Sequence, residues 1–357
     1  MFRASPLHTA DPDSASNSLG ALDELHALER LLEQAPPGVE VRRVCEVESD
    51  GRRLPVYAIR MGNPARDSPA VGFFGGVHGL ERIGTQLLLR FLGQLLARWP
   101  NDRALRQRLE HLRLVFMPLV NPGGMLRATR CNPRGVDLMR NAPVQAPMRV
   151  PFMLGGQRLS AMLPWYRGRK DAAMESESEA LCQLVEDELL DRNFSLALDC
   201  HSGFGFRDRI WFPFAHTKAP IRHVAEIHAL SRELDRQWPQ HQYVFEPQSR
   251  QYTTHGDLWD HLYQRSLVRG RGVFLPLTLE LGSWHWIRKY PRQVFSRIGL
   301  FNPIAPARQE RVLQRHLPCL DILARLGGTW NDWLPSGASR VDHQHGAMAR
   351  WYAGAGN

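Results

Sequence analysis

Lysine is nearly missing from this chain. Lys170, Lys218 and Lys289 are the only lysines among 45 basic residues, so arginine carries the positive charge. A net charge of +9 can mark a nucleic-acid surface. Here the arginines are spread along the chain rather than clustered, which reads as a solvated basic surface compatible with acidic substrates. Nucleic acid is therefore not an expected partner. Cysteine is also sparse. Cys45, Cys131, Cys182, Cys200 and Cys319 are scattered, odd in number and never paired as CxxC. That pattern favours reduced thiols in a cytoplasm over a disulfide framework and argues against cysteine metal ligation. No apolar run reaches the 18 or so residues needed to cross a membrane. Residues 1–20 lack the basic and apolar regions of a secretory signal and read as a loose leader.

What is present is an ordinary hydrophobic fraction of 43%, enough for a sizeable core, in 357 residues, enough for one large domain or two smaller ones. Leu22, Leu25, Leu28, Leu31 and Leu32 recur at helical spacing over 21–34. Residues 39–47 and 53–61 read as strands, with Asp50-Gly51 between them as a hairpin signal. Strands are expected over 71–75, 112–120, 195–200, 209–214, 243–246 and 273–281. Helices are expected over 84–97, 105–112, 175–190, 220–238 and 305–326, with residues 252–263 opening as loop and becoming helical. Residues 125–165 show little periodicity and much Pro, Gly and Arg, as a functional loop would. Strands and helices alternate without a repeat or a linker. The expectation is an α/β fold: one domain over 21–326 around a mixed, mostly parallel central sheet with helices on both faces. Residues 327–357, rich in Gly and polar residues, read as a tail.

Three strand ends carry ionisable residues. Val71-Gly72-Phe73-Phe74-Gly75-Gly76-Val77-His78-Gly79-Leu80-Glu81 is an apolar strand that stops at two glycines and presents an imidazole and a carboxylate on a turn. The other two ends are Asp199-Cys200-His201 and Glu280-Leu281-Gly282. Ligand sites in open α/β sheets form at the carboxyl ends of strands. Two imidazoles and one carboxylate leave a fourth zinc position for water, the arrangement of catalytic zinc. His78 and Glu81 lie on a turn, which separates them from the helical HExxH pair. Asp199, two residues before His201, should share its side of the strand and orient it.

These residues resemble the zinc carboxypeptidases of the funnelin type, similar to carboxypeptidase A, over roughly residues 20–300. That family has an HxxE pair, a distant histidine and a late glutamate, matched in type and order by His78, Glu81, His201 and Glu280. Asn121-Pro122-Gly123-Gly124 resembles its NPDG turn, and Gly135-Val136-Asp137-Leu138-Met139-Arg140-Asn141 its GVDLNRN segment. The resemblance implies one zinc ion on His78, Glu81 and His201, and Glu280 as the base that takes a proton from zinc-bound water and delivers it to the leaving amine. It implies Arg130, with Arg127 as competitor, at the scissile carbonyl, and Arg140 forked onto a substrate carboxylate. Tyr252 resembles the family's mobile tyrosine; Tyr263 is the poorer candidate. The Arg130-Cys131 placement is similar to short-loop, cytosolic-type bacterial members. One departure stands out: Met139 replaces the asparagine that helps hold the terminal carboxylate, and Asn141, which follows Arg140, normally points elsewhere.

The implied activity is a metallopeptidase cleaving a peptide or small amide near a free carboxylate. Alternatives are an amidase on cell-wall-derived peptides, a deacylase of N-acyl amino acids, and an inactive zinc-binding interaction module. The long interval between His201 and Glu280 disfavours the deacylase, and the intact Glu280 disfavours the inactive module. His255 reads as a turn or supporting residue, and His343 and His345 as exposed. Trp284, His285 and Trp286 read either as a pocket wall or as ordinary packing.

Overall fold

The computed structural model describes residues 22–353; the leader expected over 1–20 lies outside them. The chain opens with α1 (Asp23–Glu33), then β1 (Val39–Ser49) and β2 (Arg52–Gly62). The turn between the strands places Asp50 at φ 53° and Gly51 at φ 72°, the two left-handed positions that a tight hairpin requires. Next come β3 (Ala70–Gly75), α2 (Arg82–Arg98), α3 (Arg103–Leu109), β4 (Arg113–Met117), α4 (Pro122–Leu126) and α5 (Ser176–Val185). β5 (Phe194–Ser202), β6 (Arg209–Phe212), α6 (Val224–Gln237), β7 (Val244–Pro247), α7 (Leu258–Arg269) and β8 (Val273–Leu281) follow. α8 (Trp284–Lys289), α9 (Pro306–Gly328), α10 (Trp330–Trp333) and α11 (Gly337–Ala347) complete the helices.

The eight strands form one mixed sheet in the order β1-β2-β4-β3-β5-β8-β6-β7. β4, β3, β5 and β8 run parallel at its centre, and antiparallel pairings join the hairpin on one side and β6 on the other. Every residue of β3, β4 and β5 is buried, which is why these strands read as continuous apolar runs rather than alternating ones. Successive side chains of β3 show how both faces are covered. Phe73 packs edge-on against Phe91 of α2, with centroids 5.2 Å apart, and Phe74 packs against Trp259 of α7 at 5.1 Å.

The expected tail is corrected. Residues 327–353 are largely helical and continue the packed body. Phe194 of β5 stacks on Trp330 and meets Trp333 edge-on. Trp351 is buried, donates to the Phe245 carbonyl at 2.6 Å and packs against Phe212. His343 is corrected too: it is half-buried, with its Nδ1 2.9 Å from His228 Nδ1. His345 is exposed as expected.

Candidate metal centre

β3, β5 and β8 are consecutive neighbours in the sheet, so their carboxyl ends open onto one edge. His78 and Glu81 sit on the turn after β3, His201 near the end of β5, and Glu280 directly opposite His201 on β8. Because side chains alternate along a strand, Asp199 shares the face of His201. The turn carrying His78 is pressed against α4: a Cβ on Gly79 would stand 2.1 Å from the Gly124 carbonyl carbon, so only glycine fits. Asn121 stitches the two together, accepting from Gly124 N at 2.7 Å and donating to the Val77 carbonyl at 3.2 Å.

His78, Glu81 and His201 are all buried and offer ligand atoms within 4.8 Å of one another. His201 Nε2 lies 2.7 Å from Asp199 Oδ2, and its Nδ1 2.9 Å from Glu81 Oε2. Burial opposes a charge on this ring, but Asp199 and Glu81 outweigh it and raise the pKa well above the ordinary imidazole value. With Asp199 holding the Nε2 proton, a cation must lie between the Nδ1 lone pair and the Glu81 carboxylate, either a proton or a metal ion. His78 Nε2 accepts from Arg130 Nη2 at 2.7 Å, while its buried Nδ1 has no hydrogen-bond partner and faces Asp137 Oδ1 at 3.7 Å. Burial, and then Arg130, hold His78 neutral by lowering its pKa, and a neutral imidazole is the ligating form. Two imidazoles and a carboxylate whose ligand atoms all lie within 4.8 Å of one another fit a zinc ion, with Asp199 backing His201 and Asp137 standing beside His78.

Glu280 is buried, and its Oε1 accepts from Phe204 N at 2.9 Å. Burial first, and the Glu81 charge next, raise its pKa to about 8. Arg130 reaches this cluster: Nε donates to Asp137 Oδ2 at 2.8 Å and Nη1 points at Glu81 Oε1 at 3.5 Å. Tyr252 lies close by. Burial pushes its phenol up, and the Arg140 guanidinium at its hydroxyl opposes that. Arg140 itself is buried, with Nη1 3.3 Å from the Met139 carbonyl.

Two residues expected at the substrate end are not free for it. Arg127 turns away, donating through Nε and Nη2 to Asp50 on the hairpin at 3.0–3.3 Å. The carboxamide of Asn141 is consumed by backbone, donating to the Arg167 carbonyl at 3.1 Å and accepting from Glu175 N at 2.6 Å. The Met139 side chain joins the core. His255 staples the long loop, its Nδ1 accepting from Ala146 N at 2.9 Å. Two participants went unassigned in the sequence. Asp137 lies inside the GVDLMRN segment, and that placement was its only signal. Trp259 donates to Asp199 Oδ2 at 2.9 Å and nothing local announces it. The five cysteines are free, and burial raises the thiol pKa of Cys200, next to His201, and pushes Cys131 up to about 12.

The family model described as zinc carboxypeptidase matches residues 32–281, and the chain belongs to that family. It is 27% identical to Carboxypeptidase SOL1 of Arabidopsis thaliana over 132 residues, 36% of this chain and 27% of that protein. It is 23% identical to Carboxypeptidase D of Anas platyrhynchos over 198 residues, 50% of this chain and 12% of that protein. The chain thus spans only about a quarter or less of the length of these relatives. The solved structure of thrombin activatable fibrinolysis inhibitor shares the fold with a TM-score of 0.63 at 19% identity, covering 89% of this chain and 77% of that one. Among the described residues no helix is long and apolar enough to cross a membrane.

Proposed function

We propose that the protein is a zinc-dependent carboxypeptidase that hydrolyses the amide bond next to a free carboxylate, with Glu280 moving the proton. The observation that supports this most is the meeting of His78, Glu81, His201 and Glu280 at three adjacent strand ends. Zinc held by the first three supplies a Lewis acid that polarises a carbonyl and acidifies a water.

The chain's own groups do the rest. Phe204 N fixes one oxygen of Glu280, which leaves the other to exchange a proton with water and then with the departing amine. Burial and the Glu81 charge raise the Glu280 pKa to about 8, so this carboxyl can take up and release a proton near neutral pH. Asp137 holds Arg130 by its Nε, so the guanidinium is preset for negative charge growing on the carbonyl oxygen. Arg140, buried beside Tyr252, receives the substrate carboxylate.

The test is turnover by purified, zinc-loaded protein on C-terminal peptides, a γ-D-glutamyl peptide and N-acyl amino acids. Release of the C-terminal residue, lost with chelator and restored by zinc, is expected. Preference for the γ-D-glutamyl peptide or the N-acyl amino acids assigns the amidase or deacylase instead. Glu280→Gln abolishes turnover while zinc stays bound; unchanged activity in that variant overturns the mechanism.

A further inference from the structure

His228 on α6 and His343 on α11 form a second pair of facing imidazoles, outside the metal centre. Their ring centroids stand 5.1 Å apart at an interplanar angle of 64°, the same separation and tilt as His78 and His201. The Nδ1 atoms are 2.9 Å apart. Contacts to either side hold the two helices in register. Arg340 Nε donates to Glu226 Oε1 at 2.7 Å, one turn before His343, and Arg350 Nη1 donates to Ser231 Oγ at 3.2 Å, beyond it. Gly346, one turn after His343, makes room for the His228 ring: a Cβ there would stand 2.7 Å from its Cε1. Trp351 meets the same ring edge-on, with centroids 5.7 Å apart. The pair is therefore preset by its surroundings.

Both rings are half-buried in the wall of an open cleft of about 640 Å³. Glu233, Asp235 and Asp342 supply its carboxylates, the first two paired with Arg236 and Arg232 and the third exposed. Packing between two helices does not account for polar groups gathered around an open space. Burial first, and then His343, Arg350 and Arg232, lower the His228 pKa to about 4. This ring is thus neutral near pH 7, the form that ligates metals. Two ring nitrogens that face each other need one proton between them. A metal ion can take that place when the donor ring moves its proton to its own Nε2, which leaves both Nδ1 lone pairs for the ion.

The spacing selects the ion. Nitrogens 2.9 Å apart, each about 2.1 Å from one metal, subtend about 90° at it, whereas a tetrahedral zinc would want them about 3.4 Å apart. An angle of about 90° belongs to octahedral or tetragonal coordination, the preference of nickel(II) and copper(II), with water filling the remaining positions. We propose that His228 and His343 form a second metal site, for a divalent ion of that geometry, which clasps α11 to α6. The site stands independently of the carboxypeptidase reading.

Nickel(II) is the probe. Zinc-loaded protein, freed of excess metal, is titrated with nickel(II) by calorimetry, and its metal content is measured after gel filtration. One zinc and one nickel per chain are expected. His343→Ala and His228→Ala should each raise the nickel Kd at least about tenfold, since losing even a supporting partner of a metal ligand costs that much. His345→Ala, an exposed histidine two residues along, should leave it unchanged. Nickel should also raise the melting temperature of the unsubstituted protein and not that of His343→Ala. Copper(II) in place of nickel should give an axial electron paramagnetic resonance spectrum split by two nitrogens, a readout that needs no substitution and decides the matter if either variant fails to fold. Nickel that enters only as zinc leaves, a nickel Kd unmoved by both histidine substitutions, or a copper spectrum without coupling to two nitrogens overturns the site.

Discussion

Asp199→Asn should weaken zinc binding without unfolding the protein. Asp199 Oδ2 accepts two hydrogen bonds, from His201 Nε2 at 2.7 Å and from Trp259 Nε1 at 2.9 Å, with all three residues buried. Its Oδ1 is buried without a partner. An amide at this position can keep its oxygen on the two donors, but the charge is gone, and its NH2 then occupies the unpartnered corner as an unsatisfied donor. Hydrogen bonds to a charged acceptor contribute about 1.5–3 kcal/mol against about 0.5–1.5 for neutral ones, so the loss at His201 is about 1–2 kcal/mol. At tenfold per about 1.4 kcal/mol, the zinc Kd should rise about five- to thirtyfold, in line with what such supporting carboxylates contribute elsewhere. Asp199→Ala should cost more, because both donors are orphaned. Trp259→Phe should cost less, because the carboxylate still meets His201. Competition with a chromophoric chelator gives the Kd values, and the melting temperatures of the metal-free proteins control for folding. A zinc Kd unchanged in Asp199→Asn, or a larger loss in Trp259→Phe than in Asp199→Asn, refutes the reasoning.

The two arginines that compete for the scissile carbonyl should separate cleanly in steady-state kinetics. Arg130→Ala is expected to lower kcat about 10²–10³-fold, the usual effect of losing one oxyanion donor. Arg127→Ala should stay within about threefold, because that side chain is spent on a surface pair with Asp50. Away from the metal, Asp257 caps α7 through Oδ1 while its buried Oδ2 lacks a partner. Burial, and then Asp260, raise its pKa from 3.8 to about 7. The folded protein thus favours the protonated acid. Its stabilising contribution is fully present below about pH 4 and is lost as pH rises through about 7. Asp257→Asn keeps the capping oxygen and removes the charge, so its melting temperature should exceed that of the unsubstituted protein at pH 8 and converge with it at pH 4; a gap that widens toward pH 4 contradicts the assignment.

The central strands and the ligand-bearing turn were legible in the sequence because each is defined locally. The hairpin follows from Asp50-Gly51, and the buried strands from short apolar runs. His78, Glu81, His201 and Glu280 each lie within a few residues of a strand end, so finding the strands found the cluster. What stayed hidden depends on contacts distant in sequence. Residues 327–353 show no strong periodicity, and their helices are held by single anchors, Trp330 and Trp333 on Phe194 and Trp351 on Phe212. The long segment after Arg127 is organised by side chains that bond to backbone. Gln157 donates to three carbonyls, and Arg167 to those of Arg140 and Val144. Such bonds leave no repeat to read. Trp259 supports His201 across 58 residues of chain and gave no local sign.

The substrate end is where motif and structure part. Asn141, two residues along, could stand in for the carboxamide missing at Met139 only if its side chain turned to the same side. The short 3-10 turn at Leu138–Arg140 makes that impossible. Two residues along such a turn swing a side chain by about two thirds of a revolution, and Asn141 points at the loop, where its amide clamps Arg167 to Glu175. Meanwhile Met139 fills core volume that a carboxamide could not occupy without unpaired polar atoms. Recognition of a carboxylate in the proposed reading then falls on Arg140 and the Tyr252 hydroxyl alone, a smaller set of donors than the motif implies.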